Sequence, residues 1–141
     1  MATPRQQALT LIQSYYETFN SGDRAAFLAL LTEDVVHDIN QGVPETGCAA
    51  FAAFLARMDR CYREQVCDLA VFASDDGVRG AAEFYIEGEY LAADEGLPPA
   101  SGQHYRLRVG AFFDLQEGKV RRVANYYNLT EWLRQVGADK Q

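Results

Sequence analysis

Val78-Arg79-Gly80-Ala81-Ala82-Glu83-Phe84-Tyr85-Ile86-Glu87-Gly88-Glu89-Tyr90 alternates along its length. Val78, Gly80, Ala82, Phe84, Ile86, Gly88 and Tyr90 share one side of an extended chain, and Arg79, Glu83, Tyr85, Glu87 and Glu89 share the other, because successive strand side chains point to opposite faces. The stretch from His104 to Leu115 repeats the pattern, with Tyr105, Leu107, Val109, Ala111, Phe113 and Leu115 set against His104, Arg106, Arg108 and Asp114. Two long strands with one apolar face each predict an antiparallel sheet that covers a core on one side. On the other side the glutamates face Arg106 and Arg108, charges that can pair across neighbouring strands. That face is either a solvated salt-bridge surface or a polar dimer interface.

Outward from these strands the turns are explicit. Ser74-Asp75-Asp76-Gly77 is a hairpin turn back to a strand from Val66 to Ala73, and Gln116-Glu117-Gly118-Lys119 leads to a last strand from Val120 to Tyr127. Asn128-Leu129-Thr130-Glu131 has the form of a capping box opening a short helix around Trp132. Before Arg63 the period is helical. Ala8, Leu11, Ile12, Tyr15 and Phe19 line one face of a helix from Pro4 to Phe19, and proline suits its first turn. Asp23 is the expected N-cap of a second short helix carrying Phe27, Leu30 and Leu31. Val35 to Ile39 reads as a first strand ended by the turn Asn40-Gln41-Gly42-Val43-Pro44, and a third helix follows from about Gly47 to Tyr62, with Phe51, Phe54, Leu55, Met58 and Tyr62 on one side. The predicted class is α+β: a curved antiparallel sheet wrapped against N-terminal helices, enclosing a small-molecule pocket. The segment 91–102 exceeds the roughly 2 to 5 residues a hairpin needs; it is either a lid over that pocket or a solvated connection.

At 141 residues, 48% hydrophobic and 12% aromatic, the chain has the size and makeup of one globular domain spanning 1–141. A net charge of -7 argues against a nucleic-acid partner and an anionic membrane surface. No stretch approaches the roughly 18 apolar residues of a membrane span, and the start lacks the pattern of a secretory signal. Cys48, Cys61 and Cys67, odd in number and without CxxC spacing, fit free thiols in a reducing compartment, so cytoplasm is expected. His37 and His104 are the two histidines, with no cysteine at ligand spacing, so no metal site is expected. No GxGxxG, P-loop or Gly-x-Ser-x-Gly element appears, and no cofactor is expected.

Several polar side chains fall on apolar faces. His37 shares the inward phase of Ile39 and suits a base near neutral pH. Asp38 is the other carboxylate candidate, although it points to the opposite face unless a bulge re-aims it. The alternation that buries Val123 also directs Asn125 and Tyr127 inward, where a buried amide must bond a ligand or a neighbour. Tyr15 and Tyr90 bring hydroxyls to apolar faces, suited to orienting a carbonyl or to filling core. Tyr16 reads as packing.

Three stretches carry a family resemblance: Tyr15-Tyr16 before Asn20-Ser21-Gly22-Asp23, then Leu31-Thr32-Glu33-Asp34-Val35, then Phe112 through Val120. With the element order, they resemble the nuclear transport factor 2-like superfamily, which includes ketosteroid isomerase and the SnoaL-like polyketide cyclases. His37-Asp38-Ile39-Asn40-Gln41-Gly42, the 94–99 loop and Asn125-Tyr126-Tyr127-Asn128 are similar to an uncharacterised ketosteroid-isomerase-related group. The resemblance implies a cone-shaped, cystatin-like α+β barrel and pairing of two copies through the outer sheet face. It also implies a pocket for a small, mostly apolar molecule, with Ile39 and Asn40 beside Asn125, Tyr127 and Tyr90 as contacts. Ketosteroid isomerase needs a carboxylate base and two neutral acids. One acid matches Tyr15, but the base falls on Ile39 and the second acid on Ala111, so that reaction does not carry over. Two readings follow. One is a cofactor-independent isomerase, cyclase or dehydratase working by proton transfer, with His37 or Asp38 as base and Tyr15, with Asn125 or Tyr127, holding the substrate oxygen. The other is a non-catalytic binding or scaffold dimer.

Overall fold

The structure, a computed structural model, describes residues 1–137. Helix α1 (Pro4–Ser21) begins with a capping box: the Thr3 hydroxyl accepts from the Gln6 amide, and the Gln6 side chain accepts from the Thr3 amide. It ends at Gly22 in the left-handed region, φ 80°, where glycine carries no Cβ penalty. Asp23 caps α2 (Arg24–Leu28) as expected, but that helix is short. Leu31, expected on it, instead opens strand β1 (Leu31–Ile39), four residues before Val35. A two-residue strand, β2 (Glu45–Thr46), pairs with β1 ahead of α3 (Cys48–Cys61). Strands β3 (Tyr62–Ala73), β4 (Arg79–Tyr90), β5 (Gln103–Gln116) and β6 (Lys119–Tyr127) form the meander, and α4 (Leu129–Val136), capped by Asn128, closes the described chain.

The α+β class stands, with one correction to the sheet. Its order is β2-β1-β6-β5-β4-β3, and β1 runs parallel to β6. The sheet is therefore mixed, not purely antiparallel, and it is open. Parallel neighbours need a long crossover, and the whole of α3 and the meander supplies it. The outer edge, β3, is covered in part by α1: the Asn20 amide accepts from the Val66 amide at 2.8 Å and donates to the Val66 carbonyl at 3.0 Å.

A bulge in β3 sets which of its side chains face the core. Cys67 pairs with Tyr85 and Ala70 with Glu83, so two residues oppose one, and Asp68 takes φ 55°. Before the bulge Tyr62, Glu64 and Val66 share the inward phase; after it Leu69, Val71 and Ala73 do. The inner face, with the helices, buries Ile12, Phe27, Val35, Leu55, Phe113, Val120 and Val123 almost completely. No helix among the described residues is long and apolar enough to cross a membrane.

Candidate active site

Between the concave sheet and the helices lies a cavity of about 300 Å3. Its walls are aromatic and aliphatic: Tyr15, Tyr16 and Phe19 of α1, Phe27 of α2, Phe51 and Phe54 of α3, Trp132 of α4, and Phe84, Ile86, Leu107 and Val109 of the sheet. Polar groups enter this wall at a few defined places.

Glu64 is the first of these, on a part of β3 that precedes the apolar run beginning at Val66 and from which the sequence pattern predicts no strand. It lines the cavity from β3, and its carboxylate accepts a hydrogen bond from the Tyr105 hydroxyl. The two are not on adjacent strands. Glu64 pairs with Gly88, and Gly88 pairs with Tyr105; the phenol crosses the strand between them, where glycine leaves room. A Cβ on Gly88 would overlap the Tyr105 ring and stand 2.5 Å from its Oη. Burial raises the Glu64 carboxyl above its usual range, opposed by the Tyr105 bond and by the charge of Arg24. The readable signal was a lone acid two residues from Tyr62 and two from Val66, opposite a glycine.

His37 lines the cavity from β1 at 3% exposure. Its ring stacks on Phe51 with centroids 4.2 Å apart and meets Phe54 edge-on at 4.7 Å. Nδ1 is buried without a hydrogen-bond partner among the described residues. Burial lowers its pKa to about 4, against a smaller opposing pull from Asp38, so the imidazole is neutral at pH 7. Tyr15 packs on Phe27 and Phe113, and burial pushes its phenol well up. Tyr16, read from sequence as packing, also lines the cavity, with its hydroxyl buried and unpartnered among the described residues.

Of the remaining expected contacts, Ile39, Asn125 and Tyr127 line the cavity. Three do not. Asp38 lies on the opposite face of β1, paired with Ala124, with Oδ2 3.7 Å from an Arg122 nitrogen; no bulge turns it inward. Asn40 takes φ 51°, and its side chain accepts the Tyr127 amide at 3.0 Å, fastening the end of β1 to that of β6. Tyr90 is fully buried, stacked on Tyr62, and its hydroxyl donates to the Pro98 carbonyl at 2.7 Å and accepts from the Asp94 amide at 3.0 Å. It anchors the 91–102 segment. That segment contributes Asp94, Glu95 and Leu97 to the cavity wall, the position of a lid. The Tyr62 hydroxyl donates to Asp94 Oδ2 at 2.6 Å, and Arg57 approaches Oδ1 at 3.8 Å. Among the described residues no cluster of three or more His, Cys, Asp or Glu side chains is arranged to hold a metal ion.

An open, curved mixed sheet closed by N-terminal helices around an aromatic cavity defines the nuclear transport factor 2-like cone fold. An NTF2-like protein from Burkholderia xenovorans shares it at TM-score 0.73 and 15% identity, over 94% of this chain and 97% of that one. Within that fold the chain belongs to the SnoaL-like domain family, whose model matches residues 12–123. It is similar to a candidate polyketide cyclase from Xanthomonas campestris, with 56% identity and TM-score 0.92 over 95% of this chain and 99% of that one. A second candidate polyketide cyclase, from Pseudomonas putida, gives 54% identity and TM-score 0.89 over 96% and 99%. No curated protein matches.

Proposed function

We propose that the cavity takes a small, mostly apolar carbonyl compound and that Glu64 moves a proton at the carbon beside the carbonyl, in the manner of an isomerase, cyclase or dehydratase. The observation that carries this reading is a carboxyl group raised by burial in an aromatic cavity and held by a single phenol. Raising a carboxyl toward neutrality makes it a better base at working pH. His37, the base favoured from sequence, is a poor one with a pKa of about 4. As a neutral ring it serves instead as a hydrogen-bonding partner for a substrate oxygen, with Tyr15 and Tyr16 as further donors. Phenols and imidazoles held neutral by burial can stabilise a developing enolate without a competing charge. The two candidate cyclases of more than half identity support this class of chemistry.

The test is proton–deuterium exchange followed by NMR in heavy water, with a panel of cyclic ketones, enones and small hydroxy-ketones. Wild-type protein exchanges the hydrogens beside the carbonyl, and Glu64→Gln lowers the rate by roughly 10²-fold or more while circular dichroism stays unchanged. Equal rates in the variant overturn the assignment. Exchange of none of the compounds turns the reading to the binding protein.

The chain is further proposed to form a homodimer through the outer sheet face. Phe72, Ala81, Phe112, Ala124 and Asp38 occupy one row across five strands. Phe72 and Phe112 are 57% and 47% exposed, and Asp38 Oδ1 is buried without a hydrogen-bond partner among the described residues.

A further inference from the structure

Glu64 borders two cavities. Beside the aromatic one, between the end of α1, α3 and the start of β3, lies a second space of about 290 Å3. Phe19, Met58, Tyr62 and Glu64 are in the walls of both and form the partition. The outer space is otherwise lined mainly by polar residues, among them Asn20, Arg24, Asp59, Arg63 and Gln65. Several of these are fixed by one another. Arg24 donates through Nε to the Asp59 carboxylate at 3.0 Å and through Nη2 at 2.5 Å, and through Nη1 to the Phe19 carbonyl at 3.2 Å; Gln65 donates to the Asn20 carbonyl at 3.3 Å. A polar space of this size accommodates several waters.

We propose that the outer cavity is a water port, through which Glu64 exchanges its proton with solvent while the inner cavity is closed over its occupant. The inference rests on the reading of Glu64 as the base. A base walled in by aromatic rings and a lid can only return each proton to the molecule that gave it. Glu64 sits in the partition, so the proton it takes from a carbon exchanges with water on the far side, and the carboxyl then returns a solvent-derived proton to the enolate, which regenerates the carboxylate. The transfer is then solvent-exchanging. Arg24 is a positioning residue in this scheme: its guanidinium shapes the outer wall, and its charge favours the ionised carboxylate.

The test needs no substrate. The Tyr105 hydroxyl proton, bonded to Glu64, reports exchange with water by NMR saturation transfer in the full chain. Leu91 lines the outer cavity and not the inner one, and Leu91→Trp fills it. Arg63→Trp, at a largely exposed position of the same wall, is the second blocker should the first disturb folding. Glu95→Trp crowds the lid side of the inner cavity. Either blocker slows hydroxyl exchange by about tenfold or more, or sharpens a resonance that exchange broadens in wild type, while Glu95→Trp changes it less than about twofold. Unchanged exchange in both blockers, or slowing by Glu95→Trp alone, overturns the port. The two failures are told apart by the product: a base without a port returns its own proton, so it still turns over an isomerisable enone while incorporating little deuterium, whereas a Glu64 that is no base gives no turnover even where the blockers slow hydroxyl exchange.

Discussion

Gly88→Ala is the substitution that most sharply tests the construction of the site. Gly88 has no positive φ, so its use here is space, not backbone freedom. Its neighbours in the row are Glu64 and Tyr105, and the phenol reaches the carboxylate only by lying over it. An added methyl would sit 2.5 Å from Oη and closer still to the ring, against an ordinary contact of about 3.5–4.0 Å. The ring cannot slide freely, because Tyr62 and Trp132 stand at centroid distances of 6.4 and 5.9 Å from it. Overpacking costs about 1–3 kcal/mol, and loss of a hydrogen bond to a charged group about 1.5–3 kcal/mol. Alanine recovers about 0.4–1 kcal/mol through the unfolded chain. A net loss of about 1.5–5.5 kcal/mol is expected in urea denaturation at pH 8. Tyr105→Phe separates the parts, since it deletes the bond without crowding and should cost about 1.5–3 kcal/mol. In both variants the Glu64 carboxyl titrates higher than in wild type, because the Tyr105 bond is one of the two influences holding it down; carbon-detected NMR of the side-chain carboxyl reads this. A Gly88→Ala protein within about 0.5 kcal/mol of wild type, with Glu64 titrating unchanged, refutes the row.

Acid should expose His37. Its pKa falls from 6.5 to about 4 on folding, so the unfolded chain takes up the proton first; the stability is full above pH 6.5, falls as pH drops toward 4 and levels below it. Wild type should lose about 3 kcal/mol over that range relative to His37→Phe, and parallel stability profiles would rule this out. Asp94→Ala removes the acceptor of Tyr62 and the partner of Arg57. Amide exchange over 94–97 should quicken by about tenfold while the centre of β4 is unaffected; an unchanged loop would show that Tyr90 alone holds it. Phe112→Asp places a charge in the exposed row of the outer sheet and should convert a dimer to monomers in sedimentation velocity, whereas a monomeric wild type removes the interface.

The fold was legible because its two central strands alternate without interruption from Arg79 to Tyr90 and from Gln103 to Gln116. The site was legible on β1 and β6 for the same reason: one phase assignment put His37, Ile39, Asn125 and Tyr127 on the cavity side. On β3 a single phase fails, because the bulge at Asp68 reverses it between Val66 and Leu69. Read backward from Val71 by twos, the inward set would be Leu69, Cys67, Gln65 and Arg63, and Glu64 would face solvent. Tyr90 and Asn40 illustrate a different limit. Alternation correctly turned Tyr90 inward, but the partner of its hydroxyl, the Pro98 carbonyl, depends on how the 91–102 segment folds back, and no periodicity records that. The parallel pairing of β1 with β6 is equally non-local, since their residues are more than eighty positions apart.

The polar atoms of the cavity set a condition on what occupies it. Tyr16 Oη and His37 Nδ1 are buried with no partner among the described residues, and an unsatisfied buried group costs about 1–3 kcal/mol. Burial also holds Glu64 partly against its charge. An apolar molecule that merely filled the rings would leave these costs standing. A molecule with an oxygen near His37 or Tyr16 and an acidic carbon near Glu64 would relieve them together, so its affinity should depend on the oxygen more than on the hydrocarbon. Binding only to the folded chain raises stability by about 2.7 kcal/mol at a hundredfold excess over Kd, which a thermal-shift series reads directly. A ketone and its hydrocarbon counterpart of equal size should then differ clearly; if they shift the melting temperature equally, the orphaned atoms are an accident of packing and the cavity is a greasy space without a designated carbonyl site.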